Sequence, residues 1–591
     1  MGKIEVAKDT YLVGIGVSPG ISIGEINLLN RNTTVDDWPI TADEVDAELE
    51  RFHWALEQSR DELLEIKQKV SSKPHLREHL YILDTHLLIL EDEMLVQGTE
   101  RAIREQISCE GALKRTLQQL RQMFDKIEDE YLRERRSDVD AVGGRIMRIL
   151  TGENQRSIDD IGPRALVVAH DLSPADTLQM DRDRVLGFIT DKGGKTSHTA
   201  ILARSLEIPA IVGLETITSL VYDRLPAIID GSSGVVILNP SEETFKEYLK
   251  RKQSYRYLQK ELHGFKDLPA ITTDNVRVAL RGNCELVSEF PVARNHGAEG
   301  VGLYRTEFLY LGRSEPPSEA EQFAAYREIL EEMQPHPVTI RTLDIGGDKV
   351  VSQLNVADEA NPAMGLRAIR FSLREGKLFK IQLRAILRAS VYGNVRIMFP
   401  MISGVAELRT CKRILREVQE ELDQEGFRYA PVIEVGIMVE TPSAVLLAPF
   451  LAEEVDFFSV GTNDLIQYCL AVDRGNEYVA YLYEPMHPAI LRALEAVCRA
   501  ANDAGISVGL CGEMAGDPLY ALVLLGLGFH ELSMNPASIP RVKRILRKVS
   551  RRDGERLLTT LLRLKTAKEV SACLDKEMRK CLPGIFDQVL I

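Results

Sequence analysis

From residue 276 onward, strand-like and helix-like segments alternate about eight times, the alternation that builds a sheet of parallel strands with covering helices. The strand candidates are 276–284, 300–309, 338–345, 395–401, 434–441, 457–465, 507–513 and 531–535. Eight strands in about 300 residues match a (β/α)8 barrel; an open doubly wound sheet is the competing architecture. The strand ends favour the barrel. Asn283, Arg305, Arg341, Glu440, Asn463 with Asp464, and Cys511 all fall at the C-terminal end of a candidate strand. A barrel gathers such ends around one mouth, whereas an open sheet spreads them along a row.

The chain before this region has another texture. Residues 11–28 read as two strands around Ser18-Pro19-Gly20. From about residue 41, apolar residues recur at helical spacing, as in Leu49, Phe52, Leu56 and Leu63, then Leu76, Leu80, Leu83, Leu87 and Leu90. This predicts a helical block of about four segments. Strand texture returns at 164–169, 185–190, 210–212 and 227–238, so the helices read as an insertion into an α/β domain. Asn239-Pro240-Ser241-Glu242 predicts a helix start with Asn239 as the cap. The charged stretch that follows reads as a linker helix closed by Gly264. The expected boundaries are 1–35 and 153–240 for the α/β domain, 36–152 for the helical insertion, 241–265 for the linker and 266–591 for the barrel.

A chain of 591 residues exceeds one hydrophobic core, as this division requires. A net charge of −15 argues against a general nucleic-acid binder, and any anionic ligand must be held by local cations. No apolar run approaches a membrane span, and the N-terminus has no apolar signal core. The eight cysteines form no Cys-x-x-Cys pair, which argues against a zinc ribbon or a disulfide scaffold. A cytoplasmic protein is expected.

Two places carry chemistry. In the segment 191–204, His198 follows Gly193 and Gly194 at the mouth of an amphipathic helix. A helix N-terminus offers free N–H donors and a positive dipole end, and neutral imidazole is a nucleophile. His198 is therefore a candidate to carry a phosphoryl group, with Gly193, Gly194, Thr196 and Ser197 lining its approach. A structural histidine beside a helix start is the alternative. In the barrel, Arg305, Arg341, Arg474 and Arg367 suit oxyanion recognition through guanidinium forks. Glu440 and Asp464 suit Mg2+, which uses few carboxylates and leaves room for substrate oxygens. Cys511 at a strand end is either a proton donor or buried filler. Plainer roles also exist for the others: Arg341 and Asp344 as an ordinary ion pair, Glu440 as a loop cap, Asn463-Asp464 as a helix cap.

The pattern Gly193-Gly194-x-Thr196-Ser197-His198-Thr199-Ala200-Ile201-x-Ala203-Arg204 resembles the active-site signature of the phosphoenolpyruvate-utilising enzymes. The blocks at 302–309, 341–349, 361–367, 438–444 and 461–465 resemble the same family, so the likeness covers nearly the whole chain. The resemblance implies that His198 is phosphorylated and that Thr177 orients its imidazole. It further implies that Arg305, Arg341, Asn463 and Arg474 hold phosphoenolpyruvate (PEP), that Glu440 and Asp464 bind Mg2+, and that Cys511 protonates the product. Only about 170 residues precede the histidine region, without a Gly-rich phosphate loop, so the nucleotide-dependent members fit poorly. No extra sensory or fused carrier domain is expected either. The Enzyme I branch, which serves sugar uptake, remains. It implies docking of the phosphocarrier HPr on the helical insertion, where 81–92 resembles part of the docking region, and a homodimer through the barrel. Arg77-Glu78-His79 depart from the more acidic residues that relatives can carry. A regulatory paralogue serving a different phosphocarrier is the alternative.

Overall fold

Among the described residues, short runs of β-branched and aliphatic residues supply sixteen strands, and these assemble into two sheets of different kinds. The structure, a computed structural model, describes residues 6–29, 38–71, 80–125, 130–152, 164–180, 184–194, 198–206, 208–287, 289–310, 315–345, 361–474, 476 and 478–583. Of residues 80–82, 123–125, 130–137, 198, 201, 204 and 205 it describes the backbone alone. The chain divides into two units, the second beginning at Leu258.

In the first unit, eight strands form one sheet: β1 (Thr10–Val13), β2 (Ile15–Ser18), β3 (Ile21–Leu29), β4 (Ala165–Ala169), β5 (Val185–Thr190), β6 (Ala210–Val212), β7 (Pro226–Asp230) and β8 (Val235–Leu238). Their order is β1-β8-β7-β3-β4-β5-β6-β2. β3 to β6 run parallel, and the remaining pairings are antiparallel. Between β3 and β4 lie α1 (Val45–Ser71), α2 (Leu80–Leu90), α3 (Glu93–Arg104), α4 (Cys109–Asp125) and α5 (Glu130–Thr151). Phe52, Ala55 and Leu63 of this insertion share one buried core with Val167, Leu172 and Leu178 of the α/β part.

Three local expectations are corrected. The insertion has five described helices, because Asp92 caps a new one: its Oδ1 accepts from the N–H of Met94 at 2.8 Å. Hydrophobic periodicity alone runs straight through that break. The stretch 227–238 is a hairpin rather than one strand. Asp230 Oδ1 accepts from the N–H groups of Ser232 and Ser233, and Gly234 sits at φ +73°, where glycine has no steric penalty. The helix α9 (Glu242–His263) is capped by Ser241, whose Oγ accepts from Thr244 N–H at 3.3 Å. Asn239 is instead held outside the helix by its own Nδ2 donating to the Val6 carbonyl.

The second unit is a closed barrel of eight parallel strands: β9 (Ala279–Cys284), β10 (Val301–Arg305), β11 (Val338–Arg341), β12 (Val395–Phe399), β13 (Glu434–Val439), β14 (Phe457–Val460), β15 (Ser507–Leu510) and β16 (Glu531–Met534). Each is shorter than its sequence candidate: β9 begins later, at Ala279, and the other strands end earlier, where the chain turns out of the ladder. After Arg305, for instance, residues Thr306–Leu309 turn into a 3-10 helix. Leu303, Met398, Met438, Phe457 and Cys511 cluster inside the barrel. Its N-terminal end is tied by Glu531, which lies 2.6 Å from Arg281 Nη2 on β9 and 3.0 Å from Arg396 Nη1 on β12. Among the described residues no helix is long and apolar enough to cross a membrane.

Candidate active site

Arg305 and Arg341 are paired in register at the ends of β10 and β11. Two guanidinium groups on adjacent strands repel unless anions lie among them, and carboxylates of the chain fill that role. Arg341 is buried; its Nη2 lies 3.0 Å from Glu307 Oε1 and its Nη1 2.8 Å from Asp344 Oδ2. The same Glu307 oxygen accepts from the N–H of Asp344 at 2.9 Å, which fixes the loop after β11. Arg341 Nε is buried and has no hydrogen-bond partner among the described residues, which leaves a donor for a ligand.

The charge network continues across the mouth. Asp344 Oδ1 lies 2.9 Å from Arg367 Nη2, which also reaches Asp464 Oδ2 at 3.4 Å. Arg367 Nη1 donates to the hydroxyl of Tyr468 at 3.3 Å, and that hydroxyl donates to the Ala363 carbonyl. Burial disfavours the Asp344 charge, but Arg341 and Arg367 outweigh it and hold the carboxyl below its usual range. Arg305 pairs with Glu285.

Glu440 follows the last residue of β13. Burial first, then the carboxylates of Asp344 and Asp464, push it well above the usual range; Arg341 and the Met401 N–H, donating to its Oε1 at 2.6 Å, work the other way. A divalent cation would relieve that crowding of like charges. Gly461 leaves the necessary space: a Cβ there would stand 2.8 Å from Glu440 Oε2. Glu440 and Asp464 therefore fit a hard cation held by oxygen.

Beyond the ends of β14 and β15, Asn463 and Glu513 bind reciprocally. Asn463 Nδ2 donates to the Glu513 carboxylate at 3.1 Å, and Glu513 N–H donates to Asn463 Oδ1 at 3.0 Å. Arg474 Nη1 lies 3.8 Å from the same carboxylate. Cys511 follows β15 and is buried, with its Sγ 3.6 Å from the Val460 carbonyl. Burial pushes its thiol up to about 11, so it stays protonated at neutral pH. Asn283 Nδ2 donates to the Cys511 carbonyl at 2.9 Å.

The barrel thus brings together Arg305, Arg341, Arg367, Glu440, Asn463, Asp464, Arg474 and Cys511. Four partners had no role assigned from sequence: Glu285, Glu307, Tyr468 and Glu513. Glu307 and Glu513 stand beside recognised motif residues, which is the signal that marks them. Glu285 and Tyr468 become visible only through their arginines.

His198 and Thr177 belong to the first unit. His198 opens helix α7 (His198–Ser205) as expected, while its side chain, and all of Lys195, Thr196 and Ser197, lie outside what is described. Gly193 has φ +115°, and a Cβ there would lie 3.1 Å from Val212 Cβ, so the turn needs glycine. The start of α7 is anchored by Thr199, whose hydroxyl donates to the Leu172 carbonyl at 2.9 Å. Thr177 is buried on helix α6 (Pro174–Gln179) and donates to the Ser173 carbonyl at 3.1 Å. The imidazole it is expected to orient lies outside the described side chains. Elsewhere in this unit, ligand atoms of Glu48, Cys109 and Glu110 approach one another. Arg51 already neutralises both carboxylates there, at 2.5 and 2.6 Å, and burial keeps the thiol protonated, so the cluster is a closed ion pair.

Three descriptions match the chain: PEP-utilising enzyme, N-terminal, over residues 13–135; PEP-utilising enzyme, mobile domain, over 161–234; and PEP-utilising enzyme, PEP-binding domain, over 259–551. A phosphoenolpyruvate-protein phosphotransferase of Priestia megaterium is 44% identical over 559 residues, 94% of this chain and 97% of that one. The protein of the same name from Bacillus subtilis is 44% identical, over 95% of this chain and 98% of its own. That from Haemophilus influenzae is 42% identical, over 95% and 98%.

Proposed function

The chain belongs to the PEP-utilising enzymes, in the branch of the phosphoenolpyruvate-protein phosphotransferases, and we propose that it runs the Enzyme I reaction from PEP through His198 to HPr. The observation that carries this reading is the in-register pair Arg305 and Arg341, with a buried, unpartnered Nε on Arg341. PEP presents a phosphate and a carboxylate side by side, and several fixed guanidinium forks suit both. Arg305, Arg341, Arg367, Asn463 and Arg474 hold the substrate.

In the first half-reaction the neutral imidazole of His198 attacks phosphorus, the bond to the enol oxygen breaks, and Thr177 orients the ring. Enolpyruvate then takes a proton on its methylene carbon from Cys511, giving pyruvate; the thiolate recovers its proton from solvent. Mg2+, held by Glu440 and Asp464, would supply neutralisation of charge on the phosphoryl oxygens. In the second half-reaction the phosphoryl group leaves His198 for the histidine of HPr, as the first step of sugar uptake by the phosphotransferase system.

In this reading, residues 1–35 and 153–240 form the phosphohistidine domain, 36–152 the HPr-docking insertion, 241–265 the linker and 266–591 the PEP barrel. One histidine serving two partners requires that its domain swivel. Exposed Leu446, Phe450, Tyr478 and Tyr481 in the barrel unit support a homodimer through the barrel. The protein works in the cytoplasm, without nucleic acid or membrane insertion. The test is transfer of labelled phosphate from PEP, with Mg2+, to the protein and then to added HPr, beside H198A. Acid-labile label that needs His198 and chases onto HPr supports the cycle. Label that stays on His198 points to the second reading, a regulatory paralogue with a different phosphocarrier. No label on folded, Mg2+-supplied protein rejects the enzyme.

A further inference from the structure

The arginines at the barrel mouth are not held alike. Arg341 has two carboxylate partners and Arg367 has two, Asp344 being shared, and all five groups are largely buried. These pairs fix position, because breaking a buried pair strands a charge. Arg305 differs. Glu285 is its ion-pair partner, and the two side chains are 38% and 35% exposed. An ion pair this open to water is weak and exchanges readily.

The backbone beneath Glu285 is nevertheless fixed. The N–H groups of Glu285 and Leu286 both donate to Glu289 Oε2, at 2.6 and 3.1 Å, and Glu289 itself is half-buried. The turn after β9 is therefore pinned by one carboxylate, while the next side chain along, Glu285, is free to leave its arginine by rotating about its own χ angles. It reaches Arg305 from outside the strand ladder, at the same mouth to which Arg305 brings its guanidinium.

We propose that Glu285 is an internal competitor for substrate: in the empty barrel its carboxylate occupies the anion position on Arg305, and PEP displaces it. This deepens the PEP reading and rests on it. A substrate phosphate carries more charge than a carboxylate and binds a guanidinium more strongly, so exchange goes toward PEP when substrate is present. Glu285 thus raises the PEP concentration at which the site fills. It also keeps Arg305 satisfied and the mouth closer to neutral between turnovers. No bond is made or broken by Glu285, so it is a specificity-setting residue and not a catalytic one.

The experiment is steady-state PEP kinetics, with HPr and Mg2+ saturating, on the full chain and on E285Q and E285A. A control, E328Q on the outer helix Glu319–Met333, removes the same charge away from the mouth. Expected is a KM for PEP lowered about fivefold in both Glu285 variants at low salt, with kcat within about twofold and E328Q unchanged. The gain should shrink in 0.5 M salt, to about half or less. A purely structural role for Glu285 would raise KM or lower kcat, and would not depend on salt. An unchanged or raised KM in E285Q, in a wild-type protein that forms pyruvate, overturns the competitor and leaves the PEP reading standing. A wild-type protein that forms no pyruvate overturns both.

Discussion

Arg341 Nη1 lies 2.8 Å from Asp344 Oδ2, joining the end of β11 to the loop that follows it. The pair looks ordinary in sequence, three residues apart near a strand end. Its setting makes it more: the other Asp344 oxygen holds Arg367, and the other Arg341 nitrogen holds Glu307. One carboxylate therefore spaces two arginines of the proposed PEP site, and its effect would pass from local charge balance to the geometry of binding.

D344N should show this. Removing one partner of a buried pair costs about 3–5 kcal/mol, so thermal unfolding of the barrel should begin well below the wild-type temperature. With both arginines loosened, kcat/KM for PEP should fall roughly a hundredfold. The pH dependence has a definite sign. The folded carboxyl titrates below its usual value, so its contribution is fully present above about pH 4 and is lost as pH falls through the folded value. The wild-type advantage in thermal stability should close at acid pH. A gap that stays constant down to pH 2 would contradict the assignment.

The barrel was legible because its signals are local and repeated: apolar runs, each closed by a polar residue. Strand ends were overestimated where a motif continues past the ladder, as in Thr306–Leu309 and in the residues after Arg341. The hairpin at Asp230 was missed because β7 and β8 read as one apolar stretch, although the Gly-Ser-Ser-Gly between them is a turn signal. The arginines could be named from residue type and spacing. Of their carboxylate partners Asp344 could be named beside Arg341, but Glu285 could not, since Glu285 and Arg305 meet only when β9 and β10 pair. The side chain of His198 remains a matter of sequence alone.

Cys511 yields a prediction about what does not change. Its thiol is pushed up to about 11 by burial, so the proton to be delivered is in place throughout the neutral range. Pyruvate formation should show no inflection from Cys511 between pH 6 and 9, and the thiol should resist iodoacetamide there. C511S, a far weaker acid, should slow pyruvate formation by roughly 10²–10⁴-fold with the fold intact by circular dichroism. Full activity in C511S would assign the proton to another group.

Gly461 and Glu440 form a second testable pair. A methyl group at 461 would stand 2.8 Å from Glu440 Oε2 and 3.0 Å from the side chain of Met438, so the carboxylate must move. G461A should weaken Mg2+ binding about 10–100-fold by calorimetry. In wild-type protein free of metal, Glu440 titrates above its usual value, so it keeps a proton at pH values where an ordinary carboxyl has lost it. If Glu440 holds Mg2+ as proposed, the ion would displace that proton, and affinity should rise with pH until the folded value is passed. Buffers of different ionisation enthalpy would register the released proton, and E440Q should release none.

The insertion offers a way to separate the two half-reactions. Leu88 on α2 is 69% exposed, and the helix it belongs to packs on α1, where Trp54 and Leu64 are also exposed. Apolar side chains left uncovered on packed helices are what a protein partner would bury. L88D adds a charge where water already reaches, so the melting temperature should stay within about 2 °C. In the proposed cycle, labelling of His198 by PEP needs the barrel and the phosphohistidine domain but not the insertion, and should continue at the wild-type rate. Passage of the label to HPr should fall about thirtyfold if Leu88 anchors the contact, the size expected for losing a central apolar residue. Equal loss in both steps would mean that the substitution damages the first unit itself. No loss in either would place the docking surface on another face of the five helices.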